Sequence, residues 1–81
     1  MARTHELKCL PDYFGAVRRN EKRFEVRRDD RGFQKGDTLR LREWLPELGG
    51  RYSGNDEYRK IKYILTGGQL GIEPGYVVIG F

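Results

Sequence analysis

The sequence predicts an α+β fold: a small, partly closed β-barrel of about five strands, with one helix between the first and second strands. Three observations predict it. Four short segments alternate apolar and polar residues, as half-buried strands do, and a fifth, over residues 76–81, is mostly apolar. One segment, beginning at Pro11, instead repeats its apolar residues at helical spacing. The chain has 81 residues, of which 37% are hydrophobic, so residues 1–81 are expected to form a single domain with one compact core.

The first strand is expected over residues 5–10, where Leu7 and Cys9 alternate with polar side chains. Lys8 then lies on the opposite face, where it either reaches a cleft or points to water. Cys9 is the only cysteine, and its alternation with Leu7 predicts a place in the core. His5 is the only histidine, and His5 with Cys9 would supply only two metal ligands, so no metal site is expected.

The helix is expected to begin at Pro11, whose missing N–H is no loss in a first turn. Phe14 and Val17 lie three residues apart and so share one apolar face. The helix is expected to end near Asn20, a residue type common at helix C-termini.

The second strand is expected over residues 22–28, with Phe24 and Val26 facing inward and Glu25 and Arg27 on the opposite face. A polar loop and the turn signal Gly36-Asp37 precede a third strand over residues 38–44. In this third strand Leu39 and Leu41 face inward, and the other face carries Arg40, Arg42 and Trp44.

The second half of the chain is expected to begin with a long loop, or alternatively a loose hairpin, over residues 46–58, which contain Pro46, three glycines and few apolar residues. A fourth strand follows, in which Ile61, Tyr63 and Leu65 alternate with neighbouring residues. The glycine-rich loop 66–75 separates it from a last, mostly buried strand over residues 76–81.

Positive charge is concentrated in residues 18–42, where ten Lys or Arg residues stand against five Asp or Glu residues. The whole chain has 16 against 12, so the remainder sums to −1. Such a basic region favours an anionic partner such as RNA. Glu25 lies among the arginines, although a surface that only coats phosphates needs no carboxylate. This combination indicates a ligand-binding site.

A set of motifs extends over nearly the whole chain, apart from residues 46–58. It comprises His5-Glu6-Leu7-Lys8, Tyr13-Phe14, Lys22, Phe24-Glu25-Val26-Arg27, Asp30-Arg31, Gly36-Asp37, Leu41-Arg42-Glu43, Gly67-Gly68 and Gly75-Tyr76-Val77-Val78. As a set these motifs resemble the ASCH (activating-signal-cointegrator homology) domain family of the PUA-like superfamily, in particular its short uncharacterised bacterial and phage-type members. The resemblance implies a PUA-like barrel with a cleft between barrel and helix, and recognition of RNA or a modified nucleotide.

Some ASCH proteins are amidohydrolases that remove acyl groups from cytidine. They resemble this chain at Lys22, where the family places a functional lysine. Three residues later they carry a threonine that is the proposed nucleophile, whereas this chain has Glu25. If the chain is an enzyme, the resemblance therefore implies a different use of Lys22 and Glu25 on a substrate such as N4-acetylcytidine.

Lys22, Glu25 and Arg27 are the main candidate site residues. In a binding site, Lys22 would hold a phosphate, Glu25 would accept hydrogen bonds from the exocyclic amine of a base, and Arg27 would clamp a phosphate or stack on a base. Alternatively, Glu25 and Arg27 form a salt bridge on a solvated face. The further candidate ligand-binding residues are Lys8, Arg31, Arg40, Arg42, Trp44, Gly67, Gly68 and Gln69.

These further residues each have two interpretations. Arginines beside Trp44 suit single-stranded nucleic acid, whereas a partly buried place at the barrel end would also explain the tryptophan. Arg31 belongs either to the cleft or, with Asp30, to a stabilised turn. The pair Gly67-Gly68 lets a backbone approach a base, or serves turn geometry alone.

The sequence thus predicts an RNA- or nucleotide-binding domain with a basic cleft. An amidohydrolase acting on an acylated nucleoside and a module that binds a protein partner are the two alternatives. No cofactor is expected. No apolar run approaches the roughly 20 residues of a membrane span, and no secretory signal is evident, so a cytoplasmic location is expected.

Overall fold

The computed structural model describes residues 2–81, which form one helix and six strands arranged in two three-stranded sheets. The elements are β1 (Thr4–Cys9), α1 (Pro11–Arg18), β2 (Phe24–Arg28), β3 (Thr38–Leu45), β4 (Arg51–Lys60), β5 (Tyr63–Thr66) and β6 (Tyr76–Gly80), with one 3₁₀ turn at Pro46–Leu48. The predicted mixed fold, with its helix between the first two strands, is confirmed. The helix ends two residues before Asn20, which takes a left-handed φ of 61°.

The first sheet has the order β1-β3-β4, and the second has the order β2-β6-β5. β1 and β3 run parallel, whereas the other neighbouring pairs are antiparallel. The parallel pair requires a long connection, which α1 and β2 supply. Two sheets with a helix between their first strands therefore account for the whole fold that the structure describes.

The core lies between the two sheets and under α1. Apolar side chains of β1 and β3 meet the central strand of the second sheet, β6, and the buried face of the helix. The buried hydrophobic residues are Leu7, Cys9, Phe14, Val17, Phe33, Leu39, Leu41, Ile61, Val77 and Ile79. The inward positions predicted for β1, α1 and β3 are confirmed, because alternation and helical spacing report burial wherever one face of an element meets the core.

The long loop predicted over residues 46–58 is wrong, because β4 occupies Arg51–Lys60. The alternative of a hairpin is closer to the structure, since β4 pairs antiparallel with β3. β4 is an edge strand, and its residues are mostly exposed on both faces, so no apolar alternation marks it. Its pairing with β3 holds it in place, with Trp44 opposite Tyr52 and a register shift between Arg42 and Trp44. Backbone hydrogen bonding to a buried neighbour thus forms a strand that periodicity does not reveal.

The predicted facing of β2 is also wrong. Phe24 and Val26 lie on the outer side of the second sheet and are 47% and 48% exposed, whereas Glu25 is only 5% exposed. The register pairs Glu25 with the core residue Ile79, so Glu25 faces inward. An inward carboxylate is tolerated here because cations contact it at an open edge of the sheet.

Arginine side chains join the neighbouring edges of the two sheets. Arg27 Nη2 donates to the backbone oxygen of Lys8 at 2.6 Å, and an Arg31 guanidinium nitrogen donates to the backbone oxygen of Glu6. Arg3 Nη2 donates in turn to the backbone oxygen of Arg31 at 2.8 Å. Side chains rather than a backbone ladder thus connect β1 to β2 and the loop after it, and this leaves a cleft between the two strands. In the described part of the chain, no helix is long and apolar enough to cross a membrane.

Candidate ligand-binding cleft

A carboxylate with two cationic partners forms the centre of the cleft. Lys22 Nζ lies 2.8 Å from Glu25 Oε1, and Arg27 Nε lies 3.1 Å from Glu25 Oε2. The Glu25 side chain is 7% exposed, against 17% for Lys22 and 29% for Arg27. Each carboxylate oxygen accepts one of these hydrogen bonds and retains a second lone pair. The cluster has one positive charge in excess and can still accept a hydrogen bond from a ligand.

The end of α1 positions Lys22. The left-handed turn at Asn20 reverses the chain, and the backbone N–H groups of Glu21 and Lys22 both donate to the Ala16 oxygen. Lys22 Nζ also donates to the backbone oxygen of Phe24 at 2.6 Å and lies 5.6 Å from the centre of the Tyr13 ring. The ammonium is therefore fixed between the helix and β2.

A cavity of about 300 Å³ opens beside this cluster. It is lined by Lys8, Cys9, Leu10, Tyr13, Glu25, Val26 and Arg27. Burial, together with the nearby Glu25 carboxylate, raises the pKa of the Cys9 thiol to about 11. The thiol is therefore protonated at neutral pH and acts as a wall of the cavity rather than as a nucleophile.

A second cavity, of about 600 Å³, adjoins the first because Leu10 and Tyr13 line both. It lies between the start of α1 and the 3₁₀ turn, and its charged groups are the carboxylates of Asp12 and Glu47. The two cavities therefore differ in charge, since the first has Lys8 and the two partners of Glu25 nearby, whereas the second has only acidic groups.

Lys8 links the first cavity to the outer face of the first sheet. Its ammonium lies 4.0 Å from the centre of the Trp44 ring, and the Trp44 ring meets the Tyr52 ring edge-on at 4.9 Å. The Arg42 guanidinium packs on the other ring of this pair, 3.8 Å from the centre of Tyr52. Trp44 thus lies in a column of stacked aromatic and cationic side chains that begins at the cavity wall.

The predicted shared face of Arg40, Arg42 and Trp44 is partly covered by ion pairs. Arg40 donates to Asp56 Oδ2 at 2.6 Å and to Glu6 Oε2 at 2.8 Å, and Arg42 lies 3.4 Å from Glu6 Oε1. The hydrogen bond to Asp56 is the largest cause of a raised Arg40 pKa. Both arginines therefore already have carboxylate partners, whereas the Lys8 ammonium has neither a hydrogen bond nor a carboxylate partner among residues 2–81.

The structure does not bring the glycine-rich loop into this site. Gly67, Gly68 and Gln69 follow β5, which lies on the far side of β6 from β2, and they line neither of the two cavities. Packing accounts for Gly67, because an added Cβ would lie 1.9 Å from the backbone oxygen of Glu73. Arg31 lies between the cleft-forming strands, where it contacts the Glu6 carbonyl.

A buried His–Asp pair lies at the other end of β1. His5 Nε2 is 2.8 Å from Asp37 Oδ2, and the backbone N–H groups of Arg3 and Gln34 also donate to the Asp37 carboxylate. The hydrogen bond from His5, followed by that from the Arg3 backbone, lowers the pKa of Asp37 to about 2. Asp37 lies just before β3, and two of its three partners, His5 and the Arg3 backbone, lie at the start of the chain, so this pair holds the start of β1 to the loop before β3.

Comparison with known proteins assigns the chain to a family but gives it no activity. Residues 4–81 match a protein family described as a domain of unknown function, DUF3850. The chain belongs to this family. A stretch of 45 residues is 47% identical to the "Uncharacterized 12.9 kDa protein in GpA 3'region" of Escherichia phage P2, and this match covers 56% of the chain and 41% of the phage protein. The function of this DUF3850 domain must therefore be argued from its cleft.

Sequence reasoning missed two residues of the site. Tyr13 is 55% exposed and lines both cavities, although helical spacing assigns it only to the helix. Tyr52 packs on Trp44, but it lies in the stretch predicted to be a loop. The exposure of the Tyr13 ring is visible only in the structure, and no local signal marked Tyr52.

Proposed function

We propose that this protein binds a nucleotide-type ligand, a nucleoside unit of single-stranded RNA, in the cleft around Glu25. The observation that carries the proposal is a nearly buried carboxylate, held by Lys22 and Arg27, at the wall of an open cavity. Arg27 and Lys8 supply positive charge for a phosphate, and the exposed ring of Tyr13 supplies a face for stacking. The cavity volume of about 300 Å³ falls at the lower end of the range of about 300–1,000 Å³ for small-ligand sites.

Glu25 would provide selectivity in this proposal. A carboxylate accepts hydrogen bonds only, so it favours bases that present an exocyclic amine, as cytosine and adenine do, over uracil. The cations favour RNA of any sequence. We also propose the finer description of the fold as PUA-like and ASCH-like, with its barrel and cleft, and a cytoplasmic location. Both rest on the sequence motifs and patterns given above.

Binding of a labelled eight-nucleotide cytidine RNA, followed by fluorescence anisotropy at several salt concentrations, tests the proposal. Lys8→Ala is the most informative variant, because Lys8 is exposed and its removal breaks no hydrogen bond in the described structure. If Lys8 contacts a phosphate, this variant lowers the slope of log affinity against log salt by about 0.7. Lys35→Ala is the matched control, since Lys35 is also exposed but lines neither cavity. Equal affinities and slopes for the two variants would contradict the proposal.

The same assay with uridine RNA tests the role of Glu25. The wild-type protein is expected to prefer cytidine RNA, and Glu25→Gln to lose this preference, because the new amide donates as well as accepts. Glu73→Gln, at an exposed glutamate outside both cavities, should behave as the wild type does. If the Glu25→Gln and Glu73→Gln variants prefer cytidine RNA over uridine RNA to the same extent, Glu25 does not select the base.

Amide hydrolysis is the second candidate, because Lys22 Nζ and Glu25 Oε1 lie only 2.8 Å apart at the cleft. In that reaction Glu25 would take a proton from water, the hydroxyl would attack the acyl carbon, and Lys22 would stabilise the developing oxyanion. The bond between the acyl carbon and the exocyclic nitrogen would then break, and Glu25 would return the proton to that nitrogen, which releases acetate and cytidine. Release of acetate from N4-acetylcytidine, lost in Glu25→Gln, would establish it. No turnover at high protein concentration would exclude this substrate.

A module that binds a protein partner is the remaining alternative, and absence of RNA binding at physiological salt would favour it.

A further inference from the structure

The outer side of the second sheet carries an exposed aromatic surface. The register forms two cross-strand rows on this side, Phe24–Gly80–Tyr63 and Val26–Val78–Leu65, and a last pair, Arg28–Tyr76. We call these eight residues the outer face. Phe24 and Tyr63 are 47% and 63% exposed. Rings exposed to this extent on a sheet are available to stack on a partner.

A glycine in the central strand separates these two rings. Gly80 lies between Phe24 and Tyr63, so the position over it holds no side chain. Gly80 has no positive φ, and an added Cβ would meet Tyr63 only at an ordinary contact distance of 3.6 Å. Neither backbone conformation nor crowding therefore requires a glycine here. Its effect is to leave space for a planar group between two aromatic side chains that flank the central strand.

The charges on the outer face favour an anionic partner. Arg28 packs 5.4 Å from the centre of the Tyr76 ring, and Lys22 reaches the edge of the face, 4.9 Å from the centre of the Phe24 ring. The only carboxylate in the three strands of this sheet belongs to Glu25, which faces inward. Lys22 is paired with Glu25, but Arg28 has no carboxylate partner among residues 2–81, whereas the arginines on the solvent-facing side of the first sheet are paired with acidic side chains.

The outer face is continuous with the cleft. Val26 lines the cavity of about 300 Å³ and also belongs to the outer face, and Lys22 contacts both Glu25 and the Phe24 ring. The neighbouring cavity of about 600 Å³ shares Leu10 and Tyr13 with this one, but its charged groups are Asp12 and Glu47, so phosphates there would meet only negative charge. A strand of nucleic acid that leaves the cleft is therefore directed over β2.

We infer that the outer face stacks successive bases of a single-stranded nucleic acid whose neighbouring nucleotide occupies the cleft. The inference rests on the proposed function and extends it: the ligand is a strand of several nucleotides, and the sheet binds the nucleotides beyond the one at Glu25. Phe24 and Tyr63 contact bases, Arg28 contacts the backbone, and the space over Gly80 receives a base or a sugar.

Two probes separate this inference from the proposed function: cytidine 5′-monophosphate, which is too short to occupy the cleft and the outer face at once, and an eight-nucleotide cytidine RNA. Tyr63→Ala is expected to weaken RNA binding by about five- to tenfold, the lower end of the effect of losing one stacked base. The variant should leave binding of the mononucleotide unchanged. Tyr58→Ala is the matched control, because Tyr58 is 57% exposed but lies on β4 of the other sheet. Folding of each variant is checked by its amide spectrum.

The outcomes are distinct. If Tyr63→Ala and Tyr58→Ala bind the RNA equally while the mononucleotide still binds, the inference about the outer face fails and the proposed function stands. If the RNA binds in a Tyr63-dependent manner but the mononucleotide does not bind, the outer face is supported and the cleft is not. Concentration-dependent self-association that Tyr63→Ala abolishes, without RNA binding, would overturn the inference in favour of a second copy of the chain. Gly80→Val, which fills the gap between the rings, should weaken RNA binding as Tyr63→Ala does.

Discussion

The ion cluster around Glu25 makes a prediction about stability that can be worked out from its geometry. Lys22→Met keeps the apolar stem of the side chain but removes hydrogen bonds to Glu25 Oε1 at 2.8 Å and to the Phe24 oxygen at 2.6 Å. Hydrogen bonds to charged groups contribute about 1.5–3 kcal/mol each. Arg27 still contacts the carboxylate in this variant, and Lys22 is 17% exposed, so we expect a total loss of only about 2–3 kcal/mol. For a domain of this size, that corresponds to a fall in Tm of about 10–20 °C.

Urea unfolding of a double-mutant cycle is the assay. Glu25→Gln alone should also destabilise the domain, but the double variant should lose less than the sum of the two single losses, by at least about 1 kcal/mol. The exposed pair of Arg19 and Glu21, each 61% exposed, offers a matched control cycle in which no coupling is expected. A coupling between Lys22 and Glu25 no larger than in the control cycle would refute the reasoning, because the contact would then be solvated like a surface pair.

Three further predictions concern other parts of the molecule. The pKa of Asp37 is held at about 2, below its usual 3.8, so its contribution to stability is present above about pH 4 and lost as the pH falls towards 2. The urea midpoint should fall over that range, and less so in Asp37→Asn; equal acid dependence in both proteins would contradict the assignment. Because the pKa of the buried Cys9 thiol is about 11, iodoacetamide should alkylate the folded protein at pH 8 far more slowly than the protein in urea, and equal rates would contradict burial. Gly67→Ala should unfold at a markedly lower urea concentration than Gly80→Ala, because of these two positions only Gly67 has an added Cβ that would overlap a backbone atom. Similar urea midpoints would contradict the close contact between Gly67 and the Glu73 backbone.

The core strands could be predicted from the sequence because one face of each meets other apolar residues. In β1 and β3 the alternation of Leu7 with Cys9 and of Leu39 with Leu41 directly reflects burial. β4 could not be found in this way, because it is exposed on both faces and is held by pairing with β3. Local patterns report the environment of side chains and are silent about backbone pairing.

The structure brings the predicted site residues Lys22, Glu25 and Arg27 together, but the predicted facing of β2 is wrong. The alternation rule assigns the apolar residues Phe24 and Val26 to the interior, although β2 directs Glu25 and Arg27 inward. The inner side of this edge strand adjoins a cleft, and Arg27 bridges the cleft by its hydrogen bond to the distant Lys8 oxygen. Such a contact, 19 residues apart in sequence, leaves no local signal.

The central claim is that the cleft around Glu25 is a nucleotide-binding site. The most direct test is an amide chemical-shift titration of the labelled protein with cytidine 5′-monophosphate near physiological salt. The account predicts saturable shifts that cluster on the residues lining the cavity, namely Lys8, Leu10, Tyr13, Glu25 and Arg27, and on Lys22. Shifts confined to the solvent-facing side of the first sheet, around Arg40 and Tyr58, would contradict it. So would an unchanged spectrum at millimolar ligand.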